Sequence, residues 1–187
     1  MQIRCALVGM PGSGKSTVGR HLAQRLKVPF IDLDHQLEQV LKTSIRQFFE
    51  AEGEARFRDI EAQVLAKVTA RPGGMVLSTG GGAVLRPENR QVLRDFGNVL
   101  YLRASPEEIF KRVKHDRTRP LLQVNNPLQK LRELYAQRDA LYREAATYVI
   151  ETGRPTVQTL VNMIMMQLEM APPLAAPASP SEALSKQ

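Results

Sequence analysis

Gly9-Met10-Pro11-Gly12-Ser13-Gly14-Lys15-Ser16 fits the pattern G-x-x-x-x-G-K-[ST], a loop that wraps the phosphates of a nucleoside triphosphate. The glycines let the backbone close around the anion, Lys15 reaches toward the β and γ oxygens, and the Ser16 hydroxyl is suited to Mg²⁺. Asp32 and Asp34 follow an apolar run. At strand spacing i and i+2 they would face one side, toward the phosphate loop. One suits a water-mediated contact to Mg²⁺ and the other a substrate hydroxyl, or the pair caps the following helix. Arg58 and Glu61 stand three apart on a helix, where pairing would orient a planar fork for bidentate capture of a carboxylate. A solvated charged face is the alternative. Thr79-Gly80-Gly81-Gly82 follows a buried strand, where three glycines suit close approach of the backbone to a ligand. Arg117 and Arg119 fall in a helix-to-helix connection that reads as a lid, from which an arginine could swing over a triphosphate, and Arg138 on the next helix would be a further anion ligand; an ordinary surface arginine is the alternative for either.

These groups need a scaffold, and the hydrophobic pattern supplies one. A strand over 3–8 runs into the phosphate loop, and a helix over 17–27 carries Val18, Leu22 and Leu26 on one face. A strand entering a helix N-terminus aims unpaired N–H groups and the positive dipole end at an anion. Further strands are expected over 29–32, 75–78, 98–102 and 148–150. Helices are expected over 36–42, 45–50, 53–68 with Gly53 as a break, 87–96, from Ser105, from Asn126 to 146, and over 156–170. Ser105-Pro106-Glu107-Glu108 combines an N-cap, an N1 proline and an N3 glutamate. Strands alternating with helices imply an α/β parallel sheet covered on both faces, with ligands beyond the carboxyl ends of the strands.

The chain has 187 residues, suited to one domain, with a formal charge of +7. That balance fits an anionic partner, and the 5% aromatic content, the absence of Trp and the scattered arginines favour small anions over a polynucleotide. Cys5 is the single cysteine, which excludes an internal disulfide and a thiolate zinc cluster; a buried, inert thiol is expected. His21, His35 and His115 lack metal-ligand spacing, and Met163, Met165, Met166 and Met170 read as core or interface filler. The absence of a signal peptide and of an apolar run long enough for a bilayer points to the cytoplasm. From Ala171 the Pro/Ala/Ser composition reads as a disordered tail over 171–187, leaving 1–170 as the domain.

The phosphate loop, F-I-D-x-D, F-R-x-x-E, T-G-G-G, R-P-L-L and R-x-x-L-Y, in this order from about Arg4 to Leu168, resemble the shikimate kinase family. The resemblance implies a three-layer αβα P-loop fold of the nucleoside-monophosphate-kinase type, with five parallel strands ordered 2-3-1-4-5 and a lid at about 114–126. It implies transfer of the γ-phosphoryl of ATP to the 3-hydroxyl of shikimate, a step toward aromatic amino acids, by a monomer that needs neither nucleic acid nor membrane. Carried over by motif, Gly12, Ser13, Gly14, Lys15, Ser16 and Thr17 bind the ATP phosphates. Ser16 ligates Mg²⁺ and Asp32 supports it through water. Asp34 contacts the shikimate hydroxyls, Arg58 and Arg138 clamp its carboxylate, and Gly81 offers backbone. Phe49 and Phe57 match apolar positions near the ring. Lys15, Asp34 and Arg119 would be catalytic, with Arg119 reaching the phosphates from the lid. Gly153-Arg154-Pro155 corresponds to the variable adenine-side loop, with Arg154 as its ATP contact, and no role carries over to Arg117. Competing readings are a P-loop kinase for gluconate or a nucleoside monophosphate, a nucleotide-dependent module without kinase activity, and a nucleic-acid binder.

Overall fold

The structure is a computed structural model that describes residues 3–114 and 124–170. Five strands, β1 (Arg4–Val8), β2 (Phe30–Asp32), β3 (Met75–Ser78), β4 (Asn98–Arg103) and β5 (Tyr148–Glu151), form one sheet. Their order is β2-β3-β1-β4-β5, and every pairing is parallel. The helices are α1 (Lys15–Leu26), α2 (Leu33–Leu41), α3 (Ile45–Thr69), α4 (Pro87–Phe96), α5 (Pro106–Val113), α6 (Pro127–Ala145) and α7 (Val157–Met170).

Alternation along the strands divides the interior into two layers, as a two-residue side-chain period requires. Cys5 and Leu7 of β1, with Leu100 and Leu102 of β4, pack against Val18 and Leu22 of α1 and Leu160 and Ile164 of α7. Ala6 and Val8, with Val99 and Tyr101, face the opposite layer, which holds Leu37, Phe57, Leu65, Leu93 and Tyr142 from α2, α3, α4 and α6. Both faces are therefore dry, which explains why the strands read as nearly unbroken apolar runs. Cys5 is fully buried, and burial pushes its thiol up to about 12, which keeps it protonated and inert. On α7, Met165 packs against its layer while Met163, Met166 and Met170 are exposed, so the methionine group is only partly core.

Most helix ends carry the signals written in the sequence. Ser105 and Glu108 form a reciprocal capping box, and Asn126 accepts from the Gln129 amide at the start of α6. Gly53 breaks α3 with φ 81° and ψ 170°, a conformation open to glycine and costly for other residues. Two differences matter for the site. First, α2 begins at Leu33, so Asp34 lies in a first helical turn and does not share a strand with Asp32. The cause is Asp32 itself, whose carboxylate accepts from the Asp34 amide at 3.1 Å and caps the helix early. Second, Ala83–Leu85 form a short 3₁₀ turn directly after the triple glycine. Arg117, Arg119, His115, most of the expected lid and the tail from Ala171 lie outside the described residues.

Candidate active site

Strand register brings the chemistry to one edge. Ser78 at the end of β3 pairs with both Leu7 of β1 and Asp32 of β2, so the three strands finish level. The loop after β1, the acidic turn after β2 and the triple glycine after β3 are therefore neighbours at the carboxyl edge of the sheet.

In the phosphate loop, Gly14 takes a left-handed φ of 94° as the N-cap of α1. Lys15 is buried, and its Nζ donates to the carbonyls of Gly9 at 2.8 Å and Met10 at 2.9 Å. The lysine is thus folded along its own loop, with its charge at the loop's centre. Ser16 Oγ donates to Asp32 Oδ2 at 2.8 Å, while Asp32 Oδ1 caps α2, so both carboxylate oxygens are engaged. A hydroxyl and a carboxylate side by side are hard oxygen donors. They fit Mg²⁺, which keeps several waters and shares phosphate oxygens, better than a metal that needs a full protein cage. Among the described residues no group of three His, Cys, Asp or Glu is placed to hold a metal ion.

Gly12, Gly14, Lys15, Ser16, Thr17 and Asp32 line a cavity of about 340 Å³. A larger one of about 1120 Å³ is lined by Phe49, Phe57, Arg58, Glu61 and Arg138, among others. Pro11, Asp34, Gly80 and Gly81 belong to both linings. Asp34 is open to the cleft yet hemmed in by protein, and this desolvation raises its pKa, with Asp32 adding to the effect and Lys15 and Arg58 opposing it.

Arg58 shows the pairing expected from its spacing, and more. Its Nη1 donates to Glu61 at 2.7 Å, and Nε and Nη2 both reach Glu54, at 3.3 and 3.2 Å. The guanidinium also lies near the faces of Phe57 and Phe49, 5.2 and 5.8 Å from the ring centres. Glu61 is 1% exposed, and burial raises its pKa against the pull of Arg58. Arg138 projects into the same cavity, and its Nε is buried without a hydrogen-bond partner among the described residues. A buried, unmatched guanidinium nitrogen suits an incoming anion.

The glycines after β3 are a matter of space. A Cβ at position 81 would lie 2.7 Å from Pro11 Cδ, and one at position 82 would collide with the Arg58 guanidinium. The Gly81 carbonyl accepts from the Tyr142 hydroxyl at 2.6 Å.

The structure thus gathers Gly12, Gly14, Lys15, Ser16, Thr17, Asp32, Asp34, Arg58, Gly81 and Arg138 around two adjoining cavities. Ser13 is buried within the loop, and Arg154 is exposed and outside both linings. Sequence reasoning overlooked Pro11, which sits at the junction, and Glu54, four residues before Arg58 and readable as an i, i+4 partner. It also overlooked Arg112 of α5, which donates to the carbonyls of Ser13 and Thr152 and so ties the phosphate loop to the segment after β5. Nothing in the local pattern marks that arginine.

A family model described as shikimate kinase matches residues 11–169. The chain is 59% identical over 172 residues to the shikimate kinase of Paracidovorax citrulli, covering 91% of this chain and 94% of that one. With the shikimate kinase of Ralstonia nicotianae it shares 54% identity over 182 residues, 96% and 95% of the two chains. The solved structure of shikimate kinase from Acinetobacter baumannii in complex with shikimate is similar at a TM-score of 0.85 and 44% identity, over 90% of this chain and 94% of that one.

Proposed function

The chain belongs to the shikimate kinase family, and on that premise we propose how its residues divide the transfer of the ATP γ-phosphoryl to the 3-hydroxyl of shikimate. The observation that carries the assignment is the junction of the two cavities. A phosphate cradle and a cavity bearing Arg58 and Arg138 share Asp34 and Gly81 at their boundary. A nucleoside monophosphate would present a phosphate in place of a carboxylate, and gluconate, which does carry a carboxylate, is an open chain with no ring to lie against Phe49 and Phe57.

Phosphoryl transfer asks little covalent chemistry of a protein; positioning and charge stabilisation dominate. Gly12, Ser13, Gly14 and Thr17 supply loop contacts to the phosphates. Lys15 neutralises charge on the β and γ oxygens as the bond to the leaving group breaks. Arg119 adds a second cation from the lid, and Arg154 contacts the nucleotide from the segment after β5. Magnesium, held directly by Ser16 and through water by Asp32, would offset phosphate charge when bound with ATP.

Arg58 and Arg138 grip the shikimate carboxylate and turn the far end of the ring toward the phosphates, with Phe49 and Phe57 against its apolar parts. Binding energy from a group remote from the reaction is thereby used for orientation. Asp34 accepts a hydrogen bond from the reacting hydroxyl and takes its proton as the O–P bond forms. Its raised pKa makes it a better proton acceptor than an ordinary aspartate. We place the functional domain in residues 1–170, acting as a monomer in the cytoplasm without nucleic-acid or membrane partners; among the described residues no helix is long and apolar enough to cross a membrane.

The test is a coupled ADP-release assay offering shikimate, gluconate and nucleoside monophosphates separately, with and without magnesium. Turnover confined to shikimate and dependent on the metal is expected. Comparable turnover with gluconate would refute the acceptor assignment.

A further inference from the structure

We propose that Tyr142 is a positioning residue for the acceptor, its hydroxyl setting the spacing between the Arg58 and Arg138 guanidinium groups. The inference rests on the reading that these arginines bind the shikimate carboxylate.

Arg138 and Tyr142 lie one turn apart on α6, at i and i+4, and therefore share a helix face. Tyr142 is fully buried, and its hydroxyl reaches across 61 residues of sequence to the Gly81 carbonyl at 2.6 Å. The neighbouring carbonyls are used locally: that of Gly80 accepts from the Ala83 amide and that of Gly82 from the Leu85 amide. Among these three glycines, the 81–82 peptide is the one anchored by a distant side chain. Because a peptide unit is planar, holding its oxygen also fixes the position of Gly82. Gly82 in turn packs directly on the Arg58 guanidinium, with no room for a Cβ between them.

One hydroxyl therefore connects the helix that carries Arg138 to the loop that confines Arg58. The charges of both arginines act on it, opposing the rise that burial gives its pKa. The phenol remains a donor throughout the working range, since burial pushes it up to about 12. Its ring is held in turn by Tyr101, 5.0 Å away between centroids, and Tyr101 donates to Asp139 of α6 at 2.8 Å. Asp139 also accepts from Arg103 and Arg143. The brace is thus closed on itself, running from α6 through two tyrosines packed at a tilt of 31° and back to α6.

Tyr142→Phe keeps the ring and deletes the hydroxyl. Steady-state kinetics with each substrate varied should show KM for shikimate rising about tenfold, with kcat and KM for ATP within about twofold. Tyr101→Phe, which loosens the brace one step away, should give a smaller rise of the same kind and serves as the test if Tyr142→Phe does not yield folded protein. Arg138→Ala is measured alongside. A shikimate KM unchanged by the tyrosine variants but raised by Arg138→Ala would overturn this proposal and leave the acceptor assignment standing. A rise shared equally by both KM values would also overturn it, making Tyr142 general scaffolding. If Arg138→Ala also left shikimate KM unchanged, the underlying assignment would fall.

Discussion

Arg58→Ala removes a guanidinium that serves two resident carboxylates and, in the proposed function, one transient anion. The resident ones are Glu61, held at 2.7 Å and 1% exposed, and the exposed Glu54 at 3.2 Å; the transient one is the acceptor's carboxylate. Truncating one partner of a buried charged pair costs about 2–5 kcal/mol, and a mid-range loss of about 3 kcal/mol on the acceptor contact is about a hundredfold in KM for shikimate. The fold also suffers, because Glu61 loses the cation that offsets its burial. That loss is smaller than for a fully ionised carboxylate, since the raised pKa of Glu61 lets it take up a proton. The double variant Arg58→Ala/Glu61→Gln removes the stranded charge and should recover most of the melting temperature without recovering KM. Coupled ADP release, with each substrate titrated at saturation of the other, separates these effects. KM for ATP should move by less than about twofold, because Arg58 lines only the larger cavity. If KM for ATP rose while that for shikimate stayed put, the assignment of Arg58 would be wrong.

Lys15→Met should cut kcat by at least about a hundredfold while circular dichroism stays native, because the charge lost sits at the centre of the phosphate loop. Gly82→Ala and Gly81→Ala should differ in kind. A methyl at position 82 meets the movable end of Arg58 and should raise shikimate KM alone, whereas one at position 81 presses on the Pro11 ring and should impair both substrates in the same kinetic assay. Glu61→Gln gives a pH signature in urea unfolding. The folded wild type holds its Glu61 proton more tightly than the unfolded chain, so its stability falls as pH rises from the unfolded carboxyl pKa through the raised folded value. Relative to Glu61→Gln, the wild type should therefore gain stability as pH is lowered through that window; a relative loss would refute the raised pKa.

The architecture was legible because its signals are local. Apolar runs, Ser105, Asn126 and Gly53 each determine what happens within a few residues, and the helices and strands follow them closely. The Arg58–Glu61 pair was readable for the same reason, being three residues apart on one helix. The expected strand stops at Asp32, and strand-like spacing for Asp34 competes with helix capping because two aspartates two apart satisfy both patterns equally well. Only the bonds from Ser16 and from the Asp34 amide to Asp32 decide between them. Tyr142 stands in the R-x-x-L-Y motif with no role readable from it, and Arg112 in no motif at all, because their partners are distant in sequence, at Gly81 and at Ser13 and Thr152. A pattern of neighbours cannot report a contact made through the fold.

Pro11, Asp34, Gly80 and Gly81 border both cavities, the proposed donor and acceptor sites, at once. A lineage drifting toward a different sugar-like alcohol could not easily experiment there, since each change would disturb the nucleotide as well. Innovation would be channelled instead to the outer wall, the side chains of α3 and α6 that line the larger cavity and not the phosphate-loop cavity. Conversely, a drug lodged astride the seam would confront positions where escape mutations carry a double penalty.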